Sequence, residues 1–457
     1  MRKLALLSFL ICFLSTAQNK QLLYGFDELP QTLLLNPGAE VSNKFHVGVP
    51  LLSGMHLNGG FSGFSAYDIF KDDGVAINTK IRNAIDGLGN TEVLNLNQQL
   101  EILSGGFKLR DNSYLSFGYY QELDMLLKVP KDPIELFYDG NKEIGRVYSF
   151  ENLAARAEVL GVFHIGISKK INDKWTIGAR AKLYSGVANA RAKIKSGTFH
   201  TSYGTNNIYR HHLDFVNGYL QTSGIIMDDY DDVSSSFYTK KLLLGGNLGL
   251  GVDFGFTHHI NKQWTVTGSA LDIGFMNNSK ETESYKLKGN YDIEGINLFF
   301  NEDAPEDYWD DLKDDFEERI VLDTIYKSYI SMRPVKLNSS LSYAFGKPAL
   351  DNCRFQTGPD VYTNKLGMQL YATIGTIHSQ VAATLFYERR INRYLQSKVT
   401  YTVDSYSFKN LGVGVSTKLG SINSYFLVDN LLNLSNIYNA KSVSLQAGIN
   451  YVFRNKN

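Results

Sequence analysis

Ten carboxylates crowd residues 302–318 of this chain, with Lys313 as the one opposing charge. Oxygen ligands at that density suit a hard cation such as Ca²⁺. Yet Trp309, Leu312, Phe316 and Ile320 recur at helical spacing. The run therefore reads as an amphipathic loop helix whose acidic face meets water and could dock a partner. Asp228-Asp229-Tyr230-Asp231-Asp232 is a second acidic cluster. It lacks the spaced ligands and the glycine of a calcium loop and reads as solvated. His211-His212 and His258-His259 are adjacent pairs. Neighbours on a strand point to opposite faces, so neither pair converges easily on one metal. The sequence carries no nucleophile elbow, phosphate loop or metalloprotease helix, so the expectation is a non-enzyme with no cofactor and no metal. That leaves Arg180, Lys182, Asp253, Glu388, Lys398 and Asp404, charges set singly into alternating segments. Charges so placed line a pore, bind a plug, or pair with one another inside a barrel.

The elements that would hold those charges alternate with period two, the signature of a strand. Val443, Leu445, Ala447, Ile449, Tyr451 and Phe453 alternate with Ser444, Gln446, Gly448 and Asn450. Leu411, Val413 and Val415 alternate with Gly412, Gly414 and Ser416. Soluble sandwiches alternate too, but here the runs reach about ten residues, the length a tilted strand needs to cross a bilayer. Aromatic residues such as Trp175, Trp264, Tyr387 and Phe453 sit near the ends of the runs, where interfacial girdles lie. Three hairpins repeat one turn, at Ile171-Asn172, Ile260-Asn261 and Ile391-Asn392. Their unequal spacing excludes a solenoid.

Strands are expected near 56–66, 101–109, 113–123, 157–170, 175–188, 242–258, 264–276, 336–346, 367–376, 381–390, 395–405, 411–419, 423–430 and 443–453. That makes fourteen, an even number, as single-chain bacterial barrels have. A fifteenth run, Phe45 to Leu51, would break parity and is assigned to an N-terminal segment inside or beneath the barrel. Short turns and long polar stretches (124–156, 189–241, 278–335) fall on opposite sides, except that 347–366 is long on the short-turn side. Ile77 to Leu103 reads as an amphipathic helix that could cap the mouth.

The chain opens with Arg2 and Lys3, an apolar Leu4–Leu14 run and Ser15-Thr16-Ala17, the pattern of a signal peptide cleaved before Gln18. Beyond it Cys353 is the sole cysteine, so no internal disulfide is expected. No later apolar run is long enough for a membrane-spanning helix. Lys plus Arg and Asp plus Glu both number 46, which argues against nucleic acid as a partner. The expected architecture is thus all-β: a signal peptide at 1–17, an N-terminal periplasmic or lumen segment at 18–55, and a transmembrane antiparallel barrel at 56–457 with long outer loops. Such a barrel belongs in the outer membrane, with lipid as its first partner.

Residues 33–70, LLLNPGAEVSNKFHVGVPLLSGMHLNGGFSGFSAYDIF, resemble the N-terminus of a Bacteroidota family of outer-membrane β-barrels of unknown function. The family pattern opens with Asn-Pro-small, here Asn36-Pro37-Gly38, where Asn-Pro-Ala is commoner. A "GxPxLSG" element (Gly48–Gly54) and an "SGFSxxD" element (Ser62–Asp68) follow. The hairpins and the Val428–Asn433 run are more broadly similar to fatty-acid-transporter barrels, a class that includes the PorV-like and PorP-like barrels of type IX secretion. The resemblance implies a fourteen-stranded outer-membrane barrel and no particular solute. Two functions follow as expectations. One is a barrel that binds or passes small solutes, apolar ones included, with the N-terminal segment as a hatch near Asn36-Pro37. It calls for an aromatic lumen pocket and a lateral gap or strand kink. The other is a non-transporting scaffold of a secretion or gliding machine, with a blocked lumen and other outer-membrane or periplasmic proteins as partners.

Overall fold

The computed structural model describes residues 20–453 except 112, 206–207, 226–234, 295–314, 316–318, 347–361, 405–409 and 432–439. The acidic cluster at 228–232, nearly all of the run at 302–318, the signal peptide expected at 1–17 and Cys353 therefore lie outside the described residues. Of the acidic run, Asp315 is described and forms an i,i+4 ion pair with Arg319 at 2.8 Å.

The chain forms a closed antiparallel barrel of fourteen strands. The first is split into β1 (Phe45–Gly48) and β2 (Met55–Phe61). Next come β3 (Thr91–Lys108), β4 (Ser113–Pro130), β6 (Ala154–Lys170), β7 (Trp175–Tyr203), β9 (Asn247–His259) and β10 (Trp264–Asn278), β5 (Val147–Ser149) and β8 (Tyr209–Ser223) standing apart. The circuit continues with β14 (Val335–Phe345), prolonged by β13 (Tyr329–Met332), after β11 (Thr282–Ile293) and β12 (Ile320–Ile325) leave the barrel. It ends with β15 (Asn364–Ile374), β16 (Gln380–Arg390), β17 (Leu395–Val403), β18 (Asn410–Leu419), β19 (Ile422–Asp429) and β20 (Ser442–Phe453). Both β1 and β2 pair with β20 on one side and β3 on the other, which closes the ring. Closure leaves no open edge, the condition for a sheet in hydrocarbon.

Phe45–Gly48 is thus the lower half of the first strand and neither a fifteenth strand nor a segment beneath the barrel. Gly48 pairs with Asn450 and Met55 with Ala447, so residues 49–54 bulge out opposite Gly448 and Ile449. Pro50 has no N–H for a ladder, and the Gly48 and Gly54 flanks permit the detour. The bulge stays stitched: Val49 N donates to Ile449 O at 3.1 Å and Ile449 N to Leu52 O at 2.8 Å.

The outward faces are apolar. Leu248, Leu250, Val252 and Phe254 of β9, Leu366, Met368 and Leu370 of β15, and Leu445, Ile449 and Tyr451 of β20 are all exposed. The inward faces are polar, with Asp253, Lys398, Asn450 and Ser185 each fully buried. A soluble core has the reverse order; this one suits hydrocarbon outside. Trp175, Trp264, Tyr343, Tyr394, Tyr451 and Phe453 ring the end with the short turns. The repeated Ile-Asn has a local cause. In each hairpin the Asn side chain accepts the two backbone N–H groups that close the turn: Lys174 and Trp175 onto Asn172, Gln263 and Trp264 onto Asn261, Tyr394 and Leu395 onto Asn392.

At the loop end two expectations are corrected. The helix expected over 77–103 stops at Asp86, because Gly87 and Gly89 break it, and the remainder is β3. The stretches 189–241 and 278–335, read as polar loops, hold further sheet. The upper half of β7 pairs with β5 and β8, β8 with β11, and β11 with β12. Helices Ile77–Asp86 and Lys131–Asp139 cap this end, tied by an Arg82–Asp139 ion pair. That hydrogen-bonded pair, with Lys142, holds the Asp139 carboxyl well below the usual carboxylate range.

Candidate functional site

A fourteen-stranded ring is too wide for its own side chains to fill. The space is taken by residues 20–44, which enter the barrel and pack around one 3₁₀ turn, Pro30–Leu34. Leu22, Leu23, Tyr24, Phe26, Leu29 and Leu35 bring an apolar nucleus into the polar lumen and meet Leu271, Tyr425 and Leu427 of the wall. The plug is held mostly through its backbone carbonyls. Ser269 Oγ donates to Leu35 O at 2.6 Å, Thr257 Oγ1 to Gly38 O at 2.8 Å and Ser168 Oγ to Ala39 O at 2.9 Å. Glu40 accepts from Thr176 at 2.7 Å and meets His259 Nε2 at 3.0 Å.

Asn36-Pro37-Gly38 lies against the wall at a glycine pair. Gly178 of β7 and Gly255 of β9 are cross-strand neighbours facing the lumen. A Cβ on Gly178 would stand 2.0 Å from Pro37 O, and one on Gly255 2.1 Å from Asn36 Oδ1. Asn36 folds over the notch, accepting Gly38 N at 2.9 Å and donating to Phe256 O at 3.2 Å. Only glycine leaves room for this approach. Gly255→Val, alone or with Gly178→Val, is expected to lift the motif off the wall while the barrel still forms. Proteolysis from the turn end would then cut within residues 20–44 at least roughly tenfold faster, since overpacking by a methyl or more costs about 1–3 kcal/mol. An unchanged cleavage rate in a folded variant would refute the notch.

Arg180, Lys182 and Asp253 meet in one buried belt across the lumen. Arg180 donates to Asp253 at 3.0 Å, to Leu34 O at 3.2 Å and to Leu33 O, so it clamps the plug and the wall together. Lys182 bridges Asp253, at 2.9 Å, to Asp272. Lys336 joins Asp272, at 2.9 Å, to Glu122, at 3.3 Å. Arg333 joins Glu122, at 3.0 Å, to Glu158. Four cations (Arg180, Lys182, Lys336, Arg333) thus answer four carboxylates (Asp253, Asp272, Glu122, Glu158). Glu388 and Lys398 sit across the lumen in a second cluster. Lys365 pairs with Glu388 at 3.5 Å and with the plug's Asp27 at 2.6 Å. Lys398 Nζ donates to the plug's Tyr24 O at 2.6 Å.

Five of the eight belt residues, Glu122, Glu158, Asp272, Arg333 and Lys336, are not among the charges singled out from the sequence. Asp272 is turned inward by a bulge: the β10 register against β9 slips between Ala270 and Ile273, and Asp272 has φ of 60°. Strict alternation would aim it at lipid. Arg333 lies between β13 and β14, in a stretch read as loop. Lys365 precedes the strand expected at 367–376. Glu122 and Glu158 carried the usable signal, a lone carboxylate on an alternating run. The histidine pairs behave as expected of strand neighbours. His258 stacks on Trp175 at 4.1 Å, while His259 turns to Glu40. His211 meets Thr201 at 3.0 Å and His212 meets Asp292. Among the described residues no group of three or more His, Cys, Asp or Glu could hold a metal.

Above the plug, toward the loop end, the lumen opens into a cleft of ≈ 590 Å³ including its mouth. Asn58, Asn95, Asn97, Asp124, Arg156 and Gln380 are among its lining residues. A second, smaller space lies against the plug at Lys20, Leu34 and Leu35. Lys336 and Tyr371 line both. The aromatic lining expected for apolar solutes is missing from the upper cleft among the described residues, where Tyr371 is the one Phe, Tyr or Trp. The expected strand kinks are present, at residues 49–54 and at Asp272.

The model of a family of unknown function, DUF5723, matches residues 37–429. The chain belongs to that family. No curated protein matches it. Among solved structures, it is similar to the Pseudomonas putida toluene transporter TodX, at 9% identity over 97% of each chain with a TM-score of 0.39. It is similar to a Pseudomonas aeruginosa FadL homologue, at 9% identity over 94% of this chain and 96% of the other with a TM-score of 0.44. The translocator domain of the autotransporter NalP from Neisseria meningitidis matches at 8% identity, over 90% of this chain and 89% of the other, with a TM-score of 0.32.

Proposed function

We propose that this member of the DUF5723 family is a plugged outer-membrane barrel that takes a small solute from the loop end and admits it when the N-terminal plug shifts. The observation that carries this reading is the construction of the lumen. An open cleft sits directly above a plug that the wall grips by hydrogen bonds and ion pairs, and the plug is part of the chain only through residues 42–44 leading into β1. Such contacts can be exchanged for others at modest cost, unlike a packed apolar core. The reading includes no catalytic step, metal or cofactor. It uses lipid as the barrel's surroundings and places the short turns in the periplasm.

Locking the plug tests it. In a Cys353→Ser background, Glu40→Cys and Thr176→Cys place two thiols where the native side chains meet at 2.7 Å. Cross-linking them with a short bifunctional reagent is expected to abolish solute entry into proteoliposomes, and reduction of a cleavable linker to restore it. Entry that continues with the plug locked would rule the gate out.

One observation favours a second reading, a scaffold subunit. The sheet beyond the barrel exposes Tyr203 and Phe215 on its strands and Ile208 and Tyr326 at strand ends, each more than two-thirds accessible. Aromatic residues displayed in that way suit protein contacts. A scaffold of a secretion or gliding machine would be indifferent to whether the plug is locked, so the same experiment separates the two.

A further inference from the structure

We infer that the cleft above the plug is a binding site for a neutral, polyhydroxylated solute of the carbohydrate class; this deepens the solute-barrel reading and rests on it. The lining decides the class. Its charged groups are already satisfied by one another. Arg156 forms an ion pair with Asp124, Asn97 Nδ2 adds a hydrogen bond to Asp124 at 3.3 Å, and Lys336 is shared between Asp272 and Glu122. A charged solute would have to break one of these pairs, which is strongly unfavourable in a buried site. Of the remaining polar groups, Asn58, Asn95 and Gln380 are amides, and Thr373, Tyr371 and His378 complete the set. An amide side chain donates and accepts at once, as a sugar hydroxyl does.

Two atoms mark where a ligand would bond. Gln380 Nε2 and Arg156 Nε are buried N–H donors without an acceptor in the protein. A buried donor left unpaired costs about 1–3 kcal/mol, so a hydroxyl oxygen brought to either relieves a standing penalty. Gln380 is registered across from Thr373, and Tyr371 from Ala382, on the same inward face of β15 and β16. Tyr371 therefore stands one inward position from the Thr373–Gln380 pair, a flat face against which the C–H side of a pyranose ring can lie. An apolar solute finds the opposite: a site built to hydrogen-bond hydroxyls rejects an analogue that lacks them, because the polar groups stay unpaired.

The test uses the full chain purified in mild detergent and titrated calorimetrically with maltose, glucosamine, gluconate and toluene. Maltose is expected to bind in preference to the cationic and anionic sugars, and toluene not at all. Gln380→Leu should weaken maltose at least roughly tenfold, the equivalent of one hydrogen bond worth about 1.4 kcal/mol. Asn95→Leu is a second variant at the mouth, and heat-modifiable migration on a gel confirms that each variant is a folded barrel. Toluene binding to the unsubstituted protein would overturn the carbohydrate class while leaving the solute barrel standing. Maltose binding indifferent to both substitutions would overturn the site. Absence of binding by all four probes would overturn the inference, and the plug-locking experiment then judges the solute barrel by itself.

Discussion

Deleting residues 20–41, with residues 1–19 retained, will turn this barrel into an open pore. The wall alone cannot fill the lumen of a fourteen-stranded ring, because only rings of about eight strands are narrow enough for side chains to meet across the middle. The apolar nucleus from Leu22 to Leu35 and the Pro30–Leu34 turn occupy that space. The wall residues they touch are polar enough to take water in their stead: Gln369, Lys398, Ser269, Thr257 and Arg180 all donate to plug carbonyls. Liposome swelling in neutral sugars should quicken by roughly tenfold or more once that cross-section is water-filled. The barrel should still form, since the ladder pairs among all fourteen strands remain. A deletion variant that folds, inserts and swells no faster than the full chain would show that something other than residues 20–41 closes the lumen.

Arg333→Met is expected to be the most damaging single substitution in the wall. Its guanidinium is buried between Glu122 and Glu158 and lies over the Tyr184 ring at 5.4 Å. Removing it strands two buried carboxylates, of which Glu158 keeps only Asn189 at 3.3 Å and Glu122 keeps Lys336. Breaking a buried pair in this way costs about 3–5 kcal/mol, most of it from the charge left unpaired. The midpoint of thermal unfolding, followed as loss of the compact form on gels, should fall sharply. The triple variant Arg333→Met, Glu122→Gln, Glu158→Gln should recover most of the loss, because neutral amides need no counter-charge. If the triple variant is no more stable than the single one, the damage comes from lost packing on Tyr184 and not from charge.

All fourteen expected runs correspond to barrel strands, most within a few residues, because each had to keep one face for hydrocarbon along its whole length. Where that rule is suspended, structure and expectation part. Phe45–Gly48, set apart from the strands to keep their number even, is half of a strand that residues 49–54 interrupt. Asp272 escaped because a bulge reverses parity. The outer sheet of β8, β11 and β12 was read as loop because it lies beyond the membrane, where no apolar face is imposed.

What the amino-acid order determined by itself was therefore the barrel: period-two alternation, aromatic residues at run ends and Asn-capped turns are local properties, and a lipid environment makes them obligatory. What only the tertiary structure decided was the interior. Arg333 and Glu122 stand 211 residues apart in sequence, and Asn36 reaches Phe256 across 220. Such partners meet because the ring closes around an inserted segment, and no spacing along the chain records which inward side chain will face which.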